Sequence, residues 1–334
     1  MGIRSKITGL GKGLPETIIT NKDLEKMMDT TDEWIVQRSG IKERRWIKPG
    51  VETGASMATE ASKQALKMAG KTVNDIDMII YATVHADYLF PGGGVQLQDS
   101  LCPERFIPAL DVRDQCSGFL YAVSVADAWI RTGTYKTILV ACAEVQSTSL
   151  DKSTRGRDIA VLFGDGAGAA IMEATDNPNE GFIDIILHSE GKYFNKLWTH
   201  KPTTSDSPRI SASLTEDPGA RPYMDGRFVF KHAITRMCEV MGEVTKKCGV
   251  SAQDIDFVIA HQANLRINQM VIQQLGIPET KTHNTIQKYG NITAATIPVT
   301  LGEAIEEGKI KKGDLVALVG FGSGFTWGGA LMRW

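Results

Sequence analysis

The sequence has few cysteines, and they are not spaced for metal binding or for disulfide pairing. The chain has 334 residues and five cysteines, an odd number, with no Cys-x-x-Cys pair among them. A disulfide framework needs paired cysteines, and a zinc knuckle needs closely spaced ones. We therefore expect no bound metal, and a reducing compartment, the cytoplasm.

Long apolar runs and an excess of charge of one sign are also missing. The formal net charge is -2, so the whole chain has no attraction for nucleic acid or for an anionic membrane. The N-terminal stretch lacks the apolar core of a signal peptide. The least charged long stretch, residues 315–332, contains five glycines and is typical of buried strands. We expect no export, no membrane span and no nucleic-acid partner.

Two glycine-rich runs, at residues 91–94 and 164–168, lack the spacing of a nucleotide-binding loop. The first has no Gly-Lys-Ser/Thr, and the second lacks Gly-x-Gly-x-x-Gly and leads into an apolar strand rather than a helix. Both runs are explained by turn formation.

What the sequence does contain is an internal repeat. An amphipathic helical stretch followed by Asp-Ile-Asp and an apolar strand occurs twice, with the Asp-Ile-Asp strands at residues 75–80 and 254–259. Further on, residues 117–133 and 292–308 both resemble alanine-rich helices that end at a glycine and precede an apolar strand. The two offsets, 179 and 175 residues, are nearly equal. Two short matches could arise by chance, but the shared order of strands and helices favours a duplication.

Alternating helices and apolar strands predict an α/β architecture of mostly parallel sheets covered by helices. The polar stretch after residue 175 divides the chain into predicted halves 1–175 and 176–334. The segment 192–222 breaks the rhythm, because it is rich in Pro, Ser, Thr and Asp and has little periodicity. It is predicted to be an inserted loop or lid, and long loops in compact domains are often functional.

Cys116 is the strongest candidate for a nucleophile. It follows an apolar strand and opens the helix that starts at Ser117, so it lies at a strand-to-helix elbow. A thiol at the N-terminus of a helix is close to unpaired N–H groups and a partial positive charge, which favour the thiolate. The alternative is a small buried core residue, which describes most lone cysteines.

Asn291 and His261 are the candidate partners of Cys116. In the repeat, Asn291 occupies the place of Cys116 in the second copy, so a pseudo-twofold axis could bring the two helix starts together. His261 ends the second Asp-Ile-Asp strand, and functional side chains cluster at strand ends in α/β sheets. The alternatives are a helix N-cap for Asn291 and a structural histidine for His261.

Several motifs make the sequence resemble one known family along nearly its whole length. The most specific are HQANLRI at residues 261–267, YGN at 289–291 with the Ala-Ala-x-x-Pro run ending at Pro298, and FGDGAGA at 163–169. The match extends from TTDEWI at residues 30–35 to FGSGFTWG at 321–328. The sequence resembles the β-ketoacyl-[acyl carrier protein] synthase III family.

The resemblance implies the duplicated thiolase-like fold, with two halves packed as an αβαβα layered sandwich, and a homodimer. It implies condensation of an acyl-CoA primer with malonyl-acyl carrier protein, with no cofactor besides these substrates. Cys116 would carry the acyl group, and His261 and Asn291 would stabilise the enolate left by decarboxylation. The backbone N–H groups of Cys116 and Ser323 would hold the acyl thioester oxygen.

The resemblance also implies binding residues. Trp34 and Arg157 would sandwich the adenine of coenzyme A, and Arg38 and Arg266 would line the tunnel mouth. Further candidates for coenzyme A binding are Gly226, Arg227 and Phe321. The acyl pocket is expected to include Phe90, reaching across the dimer, with Leu197 and Trp198 of the inserted loop.

Some positions depart from the family pattern. Arg227 stands where members usually have Asn, and Gln273 and Gln274 replace positions that are often basic and face the carrier protein. Asp114 and Gln115 replace the small residues that are common before the cysteine. A specialised secondary-metabolite condensing enzyme or acyltransferase is therefore an alternative to the initiation of fatty acid synthesis. A non-catalytic subunit of the same fold is disfavoured by the intact Cys116, His261 and Asn291.

Overall fold

The computed structural model describes residues 2–334. Its strands are β1 (Arg4–Gly13), β2 (Ile18–Thr20), β3 (Glu43–Arg45), β4 (Met78–Ala82), β5 (Ala109–Val112), β6 (Thr137–Glu144), β7 (Gly166–Thr175), β8 (Gly181–Ser189), β9 (Leu197–Trp198), β10 (Tyr223–Met224), β11 (Phe257–Ala260), β12 (Leu315–Gly322) and β13 (Thr326–Arg333). Its α-helices are α1 (Asn21–Glu25), α2 (Asp32–Ser39), α3 (Gly54–Ala69), α4 (Gly93–Leu101), α5 (Gly118–Arg131), α6 (Arg157–Ala160), α7 (Gly226–Cys248), α8 (Leu265–Gln274), α9 (Ile286–Tyr289) and α10 (Thr296–Glu306).

Two large sheets organise the chain. The five-stranded sheet has the order β1-β7-β6-β4-β5, and the four-stranded sheet has the order β11-β12-β13-β8. β7 ends at Thr175 and β8 begins at Gly181, so the chain passes from the first sheet to the second beside the predicted boundary at residue 175.

The sheets are mixed, and the expectation of mostly parallel sheets is wrong. β4 is parallel to β5 and β6, and β11 is parallel to β12. The remaining pairs, β1 with β7, β6 with β7, β12 with β13 and β13 with β8, are antiparallel. Part of the reason is a short connection: only residues 323–325 separate β12 from β13, and such a short link can join only antiparallel strands.

The Asp-Ile-Asp repeat makes the same contact in both sheets. The Asp77 side chain accepts a hydrogen bond from Thr137 N at 2.9 Å, and the Asp256 side chain accepts one from Leu315 N at 2.8 Å. In each copy the aspartate thus fixes the start of the neighbouring parallel strand. The repeated motif is therefore a structural device of the fold.

Alternating side chains of each large sheet build two different cores, giving five layers. On β6, Ile138 and Val140 face a central core that also contains residues of α5, α10, β12 and β13. Leu139 and Ala141 on the same strand face the opposite side, where they pack against α3 and α4. The outer face of the second sheet packs against α7 and α8. The order is helices, sheet, helices, sheet, helices, with α5 and α10 in the centre.

Close packing of β1 on α3 depends on glycine. A Cβ atom on Gly9 would lie 2.0 Å from Ala65 O, and one on Gly11 would lie 2.0 Å from Ala61 O. Such contacts are impossible, so these positions allow the strand and the helix to approach.

The predicted inserted loop, residues 192–222, contains short helical turns and the strand β9, which pairs with β10. Its Tyr193 ring packs against Phe228 of α7 with a centroid distance of 4.8 Å. Leu197 and Trp198 are partly buried, whereas Phe194 and Ile210 are exposed. The loop is thus anchored on α7 at its beginning. Within residues 2–334, no helix combines the length and the apolarity needed to cross a membrane.

Candidate active site

Cys116 lies between β5 and α5, where the two halves of the chain meet. It is buried, and α5 begins two residues later at Gly118. From the second half, Gly322 at the end of β12 approaches it so closely that a Cβ on Gly322 would lie 2.9 Å from Cys116 N. Only glycine permits this approach. The last residue of β12 therefore borders the candidate nucleophile.

The expected preference of Cys116 for the thiolate is wrong. Burial raises the pKa of the Cys116 thiol well above its ordinary value, and the carboxylates of Glu144 and Asp114 raise it further. A hydrogen bond from the Asn291 side chain acts in the opposite direction. The charge at a helix N-terminus contributes only about 0.3–1 kcal/mol at an exposed site, whereas full burial shifts a pKa by up to several units. The resting group is a neutral thiol.

His261 follows β11 and is buried with one ring nitrogen free. Its Nδ1 lies 2.6 Å from Thr296 Oγ1, at the start of α10, and its backbone N donates to Val319 O at 2.8 Å. Among the described residues, the buried Nε2 has no hydrogen-bond partner. Burial lowers the pKa of His261 to about 3, so the imidazole is neutral at physiological pH. A neutral imidazole can place one N–H or one lone pair toward a substrate.

Asn291 is held by its backbone on both sides. Its N–H donates to Leu162 O at 2.8 Å, and its C=O accepts from Gly164 N at 3.1 Å. Its side-chain Oδ1 accepts from Thr293 N at 2.9 Å, which orients the amide NH₂ away from that turn. Because α10 begins only at Thr296 with Ala295 as its N-cap, Asn291 is not the cap of that helix.

Cys116, His261 and Asn291 line one narrow cavity of about 100 Å³. Its other walls are almost all apolar and include Phe321, Leu197 and residues of α7. The structure thus brings together the three predicted catalytic residues, two from the second half and one from the first.

The narrow cavity continues into a wide surface recess of about 810 Å³. The two share five lining residues, Leu162, Met224, Gly226, Phe230 and Asn264. The recess is also lined by the residues predicted to bind coenzyme A: Trp34, Arg38, Arg157, Arg227 and Arg266. This recess is a candidate binding site for a large, anionic, partly aromatic group.

The Trp34 side chain is stacked with two arginines in the recess. The guanidinium carbon of Arg38 lies 4.3 Å from the Trp34 ring centroid, and that of Arg157 lies 4.8 Å from it. An adenine ring between Trp34 and Arg157 would need about twice the usual stacking distance of roughly 3.5 Å. Arg157, which also donates to Asp29 O at 2.7 Å, must therefore move if a base is to enter between them.

A second cavity, of about 230 Å³, opens on the other side of Cys116. Leu197, Trp198 and Ser323 line it together with Cys116, so the inserted loop forms part of its wall. Phe90 does not line it in the single chain, since its side chain is 86% exposed in the segment before α4. A place for Phe90 in an acyl pocket therefore requires a second chain.

Two backbone donors are free beside Cys116. Among residues 2–334, no carbonyl or side-chain oxygen accepts a hydrogen bond from the backbone N–H of Cys116 or of Ser323. The Ser323 carbonyl accepts from Thr326 Oγ1 at 3.1 Å, and its hydroxyl donates to Leu197 O. Both contacts hold Ser323, the residue whose backbone N–H is one predicted oxyanion donor.

Sequence reasoning missed the residues that support the site. Thr296 contacts His261, and Glu144 is fully buried near Cys116, where burial raises the pKa of its carboxyl group to about 8. Arg113 and Gln146 line the second cavity. Glu144 ends a strand in the same way as the His261 segment follows one, so a strand-end rule applied to both halves could have found it.

One group of side chains elsewhere has metal-ligand spacing. One possible ligand atom from each of His283, Glu303 and Glu307 lies within 4.8 Å of the others. Lys12 and Lys288 each lie 3.1 Å from a Glu303 oxygen, so ammonium groups already neutralise this carboxylate. The group is an ion-pair cluster at the C-terminal end of α10.

The chain is similar to known proteins of one family. Residues 110–191 match the family described as 3-Oxoacyl-[acyl-carrier-protein (ACP)] synthase III, and residues 245–334 match its C-terminal part. Beta-ketoacyl-[acyl-carrier-protein] synthase III of Coxiella burnetii is 41% identical over 98% of this chain and 99% of its own length.

Solved structures agree with this result. The 3-oxoacyl-[acyl-carrier-protein] synthase III of Aquifex aeolicus superposes with a TM-score of 0.90 at 40% identity, covering 99% of this chain and 100% of that chain. The priming β-ketosynthase of the R1128 polyketide biosynthetic pathway has a TM-score of 0.88 at 30% identity, covering 98% and 96% of the two chains.

The duplicated, five-layered fold and these neighbours define an acyl-transferring condensing enzyme of the thiolase fold. More narrowly, the chain belongs to the β-ketoacyl-[acyl carrier protein] synthase III family.

Proposed function

We propose that this protein joins an acyl-CoA primer to malonyl-acyl carrier protein by a decarboxylating Claisen condensation, the step that initiates fatty acid synthesis. The observation that carries the proposal is the continuous path from the arginine-lined recess to Cys116, with His261 and Asn291 beside the thiol. The names of the relatives, which include the carrier protein, support it.

In the first half-reaction the acyl group moves from coenzyme A to Cys116. The sulfur of Cys116 attacks the thioester carbon, the new S–C bond forms, and the S–C bond to coenzyme A breaks. The thiol proton leaves with the coenzyme A thiolate. The free N–H groups of Cys116 and Ser323 would hold the carbonyl oxygen as it gains negative charge.

In the second half-reaction the malonyl thioester loses carbon dioxide. The electron pair of the broken C–C bond passes into an enolate, whose oxygen would accept hydrogen bonds from His261 Nε2–H and the Asn291 amide. The enolate carbon then attacks the acyl-Cys116 carbonyl, forming the C–C bond and releasing the Cys116 thiolate. Neutral donors in an apolar cavity suit this step, because they stabilise the developing charge strongly without adding a buried charge.

The assembly is proposed to be a homodimer in the cytoplasm. Tyr88, Leu89 and Phe90 form an exposed apolar run, with side chains 63%, 74% and 86% exposed. Exposed patches of this kind often mark interaction sites, and a second copy is the partner that would place Phe90 near an acyl pocket. The reaction as proposed needs no metal and no cofactor apart from its two substrates.

The carrier protein is proposed to dock at the recess mouth. Arg38, Arg227 and Arg266 line that mouth, and arginines are suited to bind phosphate and carboxylate groups. Gln273 and Gln274, near the end of α8, supply no charge to this surface.

The test is a complete condensation assay with acetyl-CoA and malonyl-acyl carrier protein. We expect 3-oxobutanoyl-acyl carrier protein and one carbon dioxide per turnover, detected by mass spectrometry of the carrier. Carbon dioxide release without a carbon–carbon bond, or no turnover with any acyl-CoA, would contradict the proposal. A function in a dedicated pathway is less well supported, since the polyketide neighbour is less similar than the fatty acid synthesis relatives.

A further inference from the structure

Cys116 lies between two cavities of different chemistry. The narrow cavity on one side joins the wide recess, and this is the path by which a coenzyme A thioester would reach the thiol. The cavity of about 230 Å³ on the other side shares only Cys116, Phe163 and Leu197 with the narrow one. An acyl group that arrives from the recess and is transferred to Cys116 therefore extends into this second cavity.

The second cavity, called here the acyl cavity, carries several polar side chains in a wall that is otherwise apolar. Arg113, Gln115, Gln146, His85 and Thr199 line it, whereas the narrow cavity has only Cys116, His261, Asn264 and Asn291 as polar lining residues. Gln146 is buried and its amide nitrogen donates to Glu144 Oε2 at 3.4 Å, whereas Arg113 and Thr199 are exposed. A simple alkyl group would leave the Arg113 guanidinium without a partner in this cavity.

Arg113 gives the acyl cavity an unbalanced positive charge. Arg113 is exposed, and among the described residues it makes no ion pair and no side-chain hydrogen bond. No aspartate or glutamate lines this cavity. The cavity thus holds a guanidinium group and neutral amide donors, but no anion.

Resting on the function proposed above, we propose that the primer is a short dicarboxylic acyl group whose terminal carboxylate binds Arg113. A planar guanidinium can donate two parallel hydrogen bonds to a carboxylate, and the Gln115 amide is suited to donate a third. The transfer chemistry is unchanged. The S–C bond to Cys116 forms, the S–C bond to coenzyme A breaks, and the thiol proton leaves with coenzyme A.

Succinyl-CoA and butyryl-CoA are a matched pair of probes, because both have four-carbon acyl groups and only succinyl has a terminal carboxylate. Intact-protein mass spectrometry would follow acylation of the full-length protein by each one over time. We expect the specificity constant for succinyl-CoA to exceed that for butyryl-CoA by about tenfold or more, the effect of one charge-assisted hydrogen bond. A preference for butyryl-CoA in the unmodified protein would overturn the proposal.

Variants of Arg113 test whether this residue causes the preference for succinyl-CoA over butyryl-CoA. Arg113→Met should lower the ratio of the two specificity constants to about one or below, and Arg113→Lys should restore part of it. Arg209→Met is the control, because Arg209 is exposed and lines none of the three cavities around the site, so the ratio should stay as in the unmodified protein. A ratio unaffected by Arg113→Met would contradict the proposal.

The outcome separates this inference from the proposed function. If acetyl-CoA and butyryl-CoA acylate Cys116 and succinyl-CoA does not, the enzyme function stands and the dicarboxylic primer is rejected. If no acyl-CoA of the panel adds mass, both proposals fail. The preference is measured on the unmodified protein first, so the test does not depend on whether a variant folds.

Discussion

His261 Nδ1 lies 2.6 Å from Thr296 Oγ1, and this contact decides what His261 can do. The Thr296 hydroxyl also lies 2.9 Å from the Thr293 carbonyl oxygen, yet it has a single proton. If the hydroxyl donates to Nδ1, the neutral imidazole carries its proton on Nε2 and can donate to an enolate. If it donates to Thr293 O, Nε2 has only a lone pair. Thr296 is therefore a positioning residue that acts through His261.

Thr296→Val should slow decarboxylation of malonyl-acyl carrier protein by about 10–100-fold, the usual cost of losing the partner that orients a histidine. Thr296→Ser keeps the hydroxyl and should recover most of the rate. Acylation of Cys116 by acyl-CoA, followed by mass, should change much less. Equal losses in both half-reactions would mean that Thr296 only supports the packing of α10.

The Cys116 thiol should be alkylated slowly, and the alkylation rate should not reach a plateau near neutral pH. Burial raises its pKa, and Glu144 and Asp114 add to the shift, so only a small thiolate fraction exists at pH 7. Alkylation of the unliganded protein by iodoacetamide should therefore increase about tenfold per pH unit from pH 7 to 9. Cys116→Ala supplies the background rate from the other cysteines. A rate that levels off below pH 8 would show that the thiol has a lowered pKa instead.

Glu144 should make the protein less stable as the pH rises. Burial raises the pKa of its carboxyl group from the ordinary 4.5 to about 8, so between these values the folded state keeps a proton that the unfolded state has lost. In that window the group lowers the free energy of unfolding by up to about 1.4 kcal/mol per pH unit. Glu144→Gln removes this dependence and keeps an acceptor for Val84 N.

Urea unfolding from pH 5 to pH 8 tests the prediction for Glu144. The stability of Glu144→Gln relative to the unmodified protein should increase steadily over this range. Glu104→Gln, at an exposed site, is the control, and its free energy of unfolding should change with pH in the same way as that of the unmodified protein. If the free energy of unfolding of Glu144→Gln also follows that of the unmodified protein across this pH range, Glu144 is ionised in the folded protein.

Trp34 should contribute to binding of the nucleotide part of coenzyme A. Trp34→Ala should raise KM for acyl-CoA with little change in kcat, because the ring touches the recess and lies far along the path from Cys116. An acyl thioester of N-acetylcysteamine, which lacks the nucleotide, is the control substrate and should show no such change. A similar loss with both substrates would place the effect in the fold of α2 rather than in nucleotide binding.

Local patterns predicted the parts of the fold that short segments determine. The Asp-Ile-Asp motif and the two alanine-rich helices identified the duplication. Each motif's strand is parallel to the strand that follows the corresponding helix, and both helices lie in the central core. The mixed strand directions were not predictable, because they depend on short connections such as the turn from β12 to β13. The five-layered arrangement came from the family resemblance and not from periodicity.

The residues of the candidate site were predictable where a sequence motif contains them. Properties that depend on tertiary packing, such as a shifted pKa, were not predictable. Cys116, His261 and Asn291 follow from strand ends and the repeat, and the structure brings them to one cavity. The raised pKa of Cys116 was not predictable from the sequence, because it depends on burial and on Glu144, a residue 28 positions away in the chain. The chemistry of the acyl cavity likewise arises from segments that meet only in the folded chain.

The central claim, that Cys116 alone accepts the acyl group and His261 and Asn291 act after it, is tested most directly by intact-protein mass spectrometry with a panel of acyl-CoAs. The unmodified protein, His261→Ala and Asn291→Ala should each gain the mass of one acyl group, located on Cys116 by peptide mapping, while Cys116→Ala gains none. The two partner variants should then release carbon dioxide from malonyl-acyl carrier protein about 10²–10³ times more slowly than the unmodified protein. Acyl mass that persists in Cys116→Ala would contradict the account, as would the loss of acylation in both partner variants.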